Sequence, residues 1–152
     1  MNAVEPSSLT IGPSSGDHLH LAVVEVVPDH LQTAGDFRVS VSVRCEEFRA
    51  SECSSWIARS TFDSFVTALR GFESSRTGCA TLESMSPDEF ALSVASRSPA
   101  HWPTISGIVT GPYDSELHRY RAQLAFAFTL ESSFVVKLLH DFDSLFAHGR
   151  NG

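Results

Sequence analysis

The chain has 152 residues, 42% of them hydrophobic and 19% charged, with a net charge of −7. A chain this long can bury roughly 70% of its unfolded surface, so one domain needs no disulfide or metal to hold it. The acidic balance argues against bare nucleic acid or an anionic membrane as partner, since both select for Lys and Arg in excess, and leaves a basic protein as the complementary one.

The three cysteines, Cys45, Cys53 and Cys79, are odd in number and form no CxxC, so reduced thiols are expected. The opening "MNAVEPSSLTIGPSSGDH" has an early acid and no apolar stretch of signal-peptide kind. No apolar run reaches the ~18 residues of a membrane span. A cytoplasmic protein is expected. Residues 1–15, rich in Ser, Pro and Gly, read as a loose tail, and 16–150 as one domain.

The first predicted strand is "HLHLAVVEVV" (18–27). Its apolar phase moves from Leu19, Leu21 and Val23 to Val24 and Val26, which implies a bulge or burial on both faces. "FRVSVSVRC" (37–45) alternates cleanly. Phe37, Val39, Val41, Val43 and Cys45 share one face, and Arg38, Ser40, Ser42 and Arg44 the other. One dry face and one wet face point to an antiparallel sheet. Glu46 and Glu47 form the turn, and 48–58, with Trp56 near its end, is the hairpin partner.

After Ala58 the period lengthens to about 3.6 residues, and Phe62, Phe65, Val66, Leu69 and Phe72 fall on one helical face. Ser60 or Thr61 suits an N-cap and Asp63 the first turn, so Ser60 and Asp63 have structural work that explains them without catalysis. "ESSRTG" ends this helix. Strands are then predicted at 78–85, 89–96, 103–111 (with Gly107 marking a bulge) and 118–130. In the last, Tyr120, Ala122, Leu124, Phe126, Phe128 and Leu130 share a face. A final helix over 131–149 turns Phe134, Val135, Leu138, Leu139, Phe142, Leu145 and Phe146 inward, capped by Ser132 or Ser133 and stopped by Gly149. The order βββ-α-ββββ-α gives an α+β fold. Its antiparallel sheet has about seven strands, curved or two-layered, with two helices packed on it.

Motifs of catalysis are missing. His18 and His20 share a strand face, and His140 and His148 lie on the last helix, but no HExxH or Cys/His cluster accompanies them, so no metal is expected. There is no GxSxG elbow, no GxGxxG and no GxxxxGK[ST], and no cofactor is expected. Cys53 has no neighbouring positive charge to activate it. "HRYR" (118–121) reads as a solvated strand face, with Tyr120 inward and Arg119 and Arg121 outward. The acidic residues are the candidate contact set for a basic partner: Glu46, Glu47 and Glu52 on or beside one hairpin, Asp114 and Glu116 in a turn, and Asp141 and Asp143 on the last helix.

The stretch from "DFRVSVSVRCEEFRASECSSWIARSTFDSFVTALRGF" to "YRAQLAFAFTLESSFVVKLLHDF" resembles the WapI-type immunity proteins of bacterial polymorphic toxin systems. The likeness lies in a strand of alternating Val, a strand ending near Trp56, the helix "FDSFVTALRGF", a "TLES" strand, and a long strand running into an amphipathic helix. It covers roughly residues 18–147 and rests on core and cap positions. It implies a cytoplasmic, non-enzymatic protein that binds and masks a cognate toxin, with the acidic residues above meeting a basic toxin surface. The alternatives are a small-ligand-binding or regulatory module and a small hydrolase, each of which needs a cleft.

Overall fold

The computed structural model describes residues 7–13, 15–111 and 122–146. The fold is α+β and antiparallel, as expected, but its strands make two sheets of four. One is the meander β1 (Ser8–Ile11), β2 (His18–Val26), β3 (Phe37–Cys45), β4 (Phe48–Ile57). The other is the meander β5 (Gly78–Glu83), β6 (Phe90–Ser96), β7 (Thr104–Thr110), β8 (Gln123–Thr129). Helix α1 (Arg59–Ser75) joins them, and α2 (Val135–Asp143) follows β8 through a single 3₁₀ turn, Ser132–Phe134. Every strand pairs with its neighbour in sequence, and the ladder breaks only where a helix replaces a hairpin.

The extra strand is β1, which falls within the stretch read as a loose tail. Leu9 and Ile11 are both buried and lie opposite Leu21 and Leu19 of β2. Two apolar positions among Ser, Thr, Gly and Pro are too few to show a period, so pairing with β2 decides the conformation.

β2 resolves its phase slip as a bulge: the register shifts between Val23 and Glu25, and Val24 and Val26 face solvent. In β3 the alternation holds from Phe37 to Val43, with the apolar set buried and Arg38, Ser40, Ser42 and Arg44 half-buried on the outer face. Cys45 closes the strand, and its Sγ–H donates to the Ala127 carbonyl at 3.4 Å, joining the two sheets. A second seam forms where the Met85 N–H donates to the Trp56 carbonyl at 2.8 Å. Gly107 marks no bulge, since β6 and β7 stay in register through Leu92 and Gly107. It is glycine because a Cβ there would strike the Ala91 carbonyl oxygen and crowd the Phe126 ring. In β8, Phe126 and Phe128 are buried, Leu130 follows them inward, and Leu124 packs against the core. The earlier part of that predicted strand, 118–121, lies outside the described residues.

Helix α1 buries the predicted face: Phe62, Phe65, Val66, Leu69 and Phe72. Its start differs from expectation. The helix begins at Arg59, and neither Ser60 nor Thr61 caps it. The Asp36 carboxylate, just before β3, accepts the Arg59 N–H at 2.8 Å and does the capping from a distance. Asp63 lies beyond the first turn and pairs with Arg59 at 3.2 Å, one helical turn back. At the other end Arg76 takes the left-handed conformation (φ +58°) that glycine usually fills, and its N–H donates to the Phe72 carbonyl.

Helix α2 is shorter than predicted, and neither Ser132 nor Ser133 caps it. Ser144 N–H still donates four residues back to the His140 carbonyl, but the chain then tightens, with Leu145 N–H donating three back to Phe142. This swings Leu145 into the core without further helix. Phe134, predicted inward, lies in the 3₁₀ turn and faces solvent. Gly149 lies outside the described residues.

Both sheets and both helices share one core. Its densest part is aromatic. Phe37 of β3 meets Phe62 of α1 at 5.3 Å and Phe146 at 4.7 Å between ring centroids, and Phe65 meets Phe142 of α2 at 4.9 Å. These are edge-to-face contacts, the favoured arrangement for ring quadrupoles.

Candidate functional site

The β3–β4 hairpin has a two-residue loop, since Cys45 pairs with Phe48. Glu46 sits there at φ +56°, a sign that the tight primed turns of hairpins require. Its N–H donates to the Asp17 carboxylate at 2.8 Å, so the β1–β2 connection braces the tip. Five residues on, β4 bulges: Ser51 and Glu52 together face Ser42, Glu52 is at φ +51°, and its N–H donates to the Ser42 hydroxyl. The backbone thus holds Glu46, Glu47 and Glu52 on one hairpin. All three side chains are exposed and make no ion pair among the described residues. Arg44 and Arg49, opposite each other across the strands, stand behind the acidic tip, and Phe48 beside it is 65% exposed.

The α2 pair is placed differently. Asp141 accepts from the Lys137 ammonium at 2.6 Å, and both Asp143 oxygens accept from Arg70 of α1 at 3.2 Å. Their charges are already matched within the chain. Asp114 and Glu116 lie outside the described residues. Of the seven candidate acids, the structure therefore gathers three on the hairpin and shows two paired.

The histidines on β2 have local roles. His18 Nδ1 lies 2.8 Å from the Gly16 carbonyl, which fixes its donor there, and His20 Nδ1 lies 2.9 Å from the Thr10 hydroxyl on β1. No group of three or more His, Cys, Asp or Glu among the described residues is arranged to hold a metal ion. Burial pushes the Cys53 thiol above its ordinary range, the opposite of what a nucleophile needs.

Two surface concavities bear on function. The first is a groove of about 420 Å³ between α1 and α2, with Phe62, Phe142 and Phe146 as floor. The Arg59 guanidinium lies 4.2 Å from the Phe146 ring centroid, and the Arg70–Asp143 pair spans the rim. The groove's charges satisfy one another.

The second, of about 430 Å³, was not foreseen. Pro13, Trp102, Thr129, Leu130, Glu131 and Phe134 line it. Trp102 is 54% exposed and Phe134 46% exposed. The loop carrying Trp102 is tied down: Ser96 Oγ–H donates to the carbonyls of Ser98 and His101, Ser98 Oγ sits 2.7 Å from His101 Nδ1, and Leu130 N–H donates to the Pro103 carbonyl. The 3₁₀ turn carrying Phe134 is held from α1, where the Arg76 guanidinium donates to the Ser132 carbonyl at 2.7 Å. Glu131 is the only ionisable residue among the described residues of the lining. The available signal was a lone large aromatic in the turn-rich "SPAHWP", which in a core would have belonged to a period.

A scan of protein-family models and a search of curated proteins each find no match to this chain.

Proposed function

We propose that the chain is a non-enzymatic, immunity-type protein that binds a cognate bacterial toxin and neutralises it by covering its active surface. The observation that carries this reading is the β3–β4 hairpin, where Glu46 and Glu47 at the turn and Glu52 at the bulge are exposed and make no ion pair among the described residues, while Asp141 and Asp143 are occupied by Lys137 and Arg70. An acidic tip on a braced turn suits a basic protein surface, as on a toxin that must hold nucleic acid phosphates. The resemblance to WapI-type immunity proteins supplies the class of partner; the hairpin supplies the means.

The test is capture of the partner from the native host by the tagged chain, beside a variant with Glu46, Glu47 and Glu52 all changed to Lys. A single stoichiometric basic protein should come with the parent chain, weaken as salt rises, and be lost with the variant. Recovery of the chain alone, from cells that make a neighbouring toxin, rejects the reading. So does a partner held equally well by the variant.

A further inference from the structure

We propose that the Trp102–Phe134 pocket is the seat for a cationic side chain, arginine before lysine, of a basic partner protein. The inference rests on the partner being basic, as proposed above, and assigns it a second contact. Three features of the pocket point the same way.

The first is charge. Among the described residues the lining holds one carboxylate, Glu131, and no cation. Glu131 makes no ion pair among the described residues. Arg97 and His101 line the neighbouring depression, which shares Trp102 and Thr129 with this one, and neither lines the pocket itself.

The second is the aromatic wall. An indole face attracts a cation within about 6 Å of its centroid, more strongly than the faces of Phe or Tyr do. Among the described residues the chain's own cation–ring contacts are those of Arg59, over Phe62 and Phe146. No cation of the chain lies over the half-exposed Trp102 ring among the described residues. A guanidinium can stack on that face and donate to Glu131 at once, while its methylene stem lies along Leu130, Pro13 and Phe134. Lysine offers a point charge and no plane, so it should bind less well.

The third is rigidity. An exposed Trp on a loose loop would lose entropy on binding. Here the Ser96, Ser98 and His101 bonds fix the loop, and Arg76 fixes the 3₁₀ turn opposite. The walls are set before anything arrives, which removes a cost that adaptable surfaces carry.

The probe is N-acetyl-arginine amide, titrated into the full chain with the indole N–H signals followed by NMR. Trp56, on the other sheet, is an internal control in the same spectrum. The Trp102 signal should shift saturably with a Kd in the millimolar range, about that of one side chain without its protein. The lysine analogue should bind more weakly, and the leucine and glutamate analogues should leave Trp102 in place. Glu131→Gln should weaken arginine binding about fivefold or more, because the charge-assisted bond is lost while the aromatic wall stays. Glu131 and Trp102 are exposed, so Glu131→Gln and Trp102→Ala leave the core alone. A leucine response equal to that of arginine overturns the proposal, as does arginine binding unchanged in Glu131→Gln, or no saturable shift. The titration needs no toxin, so its failure leaves the hairpin reading standing. Loss of the hairpin reading likewise leaves the titration result as it is.

Discussion

Asp36 and Arg59 lie 23 positions apart, yet one carboxylate–amide bond between them starts α1. Asp36→Ala should cost about 1 kcal/mol, the usual worth of a cap, read as a lower urea midpoint with unchanged slope. Ser60→Ala should cost much less, since the Ser60 hydroxyl accepts no cap bond. This residue shows where local reading stops. The sequence around Ala58 announces a helix, but nothing within it names a capping group that arrives from the loop before β3. Cys53 gives a second prediction at this scale. Burial raises its pKa, so at a given pH less of it is thiolate, and alkylation should reach exposed Cys79 first and Cys53 last. The same shift favours the folded state fully below the ordinary thiol value of 9.0, and that contribution is lost as pH climbs through the raised folded value. A Cys53→Ala chain should therefore show a flatter fall in stability above that pH.

Elements were legible in proportion to their periodicity. β3 alternates over nine residues, and its ends and both faces could be read directly. The inward face of α1 could be read from five apolar positions at helical spacing. β1 has only Leu9 and Ile11, and α2 carries apolar residues past its true end because Leu145 enters the core from a turn. The hairpin acids were visible, but the Trp102 pocket was not, because its walls come from a loop, a 3₁₀ turn and the end of β1. At this scale α2 offers a contrast between contacts. Phe142 is fully buried against Phe65, so Phe142→Ala should cost roughly 3–5 kcal/mol and release α2. The Arg70–Asp143 pair joins the same helices but is more than half exposed, so Asp143→Asn should cost less than about 1 kcal/mol. Thermal or urea unfolding of the two variants measures both.

Taken whole, the molecule is two meanders that share one core. Neither sheet has an apolar face that is dry without the rest, so the two should not unfold separately. Each has one tryptophan in or beside it: Trp56 is next to last in β4, and Trp102 lies in the loop before β7. Single-tryptophan variants, Trp56→Phe and Trp102→Phe, therefore report on the sheets one at a time. Their urea transitions, corrected for each variant's own stability by circular dichroism, should coincide with the loss of secondary structure. A lag between the fluorescence and the circular dichroism of either variant would mean two cores and refute this picture.

The aromatic cluster also orders events in time. Phe37, Phe62 and Phe65 are made early, but their ring partners Phe142 and Phe146 come some 75 residues or more after them. Antiparallel neighbours can pair as each hairpin is synthesised, so both sheets can take shape on the ribosome from local contacts. At ~5–20 residues per second, the first-made rings then wait several seconds with their apolar edges uncovered. During that interval the nascent chain should present apolar surface of the kind chaperones cover, and the arrival of α2 should end it.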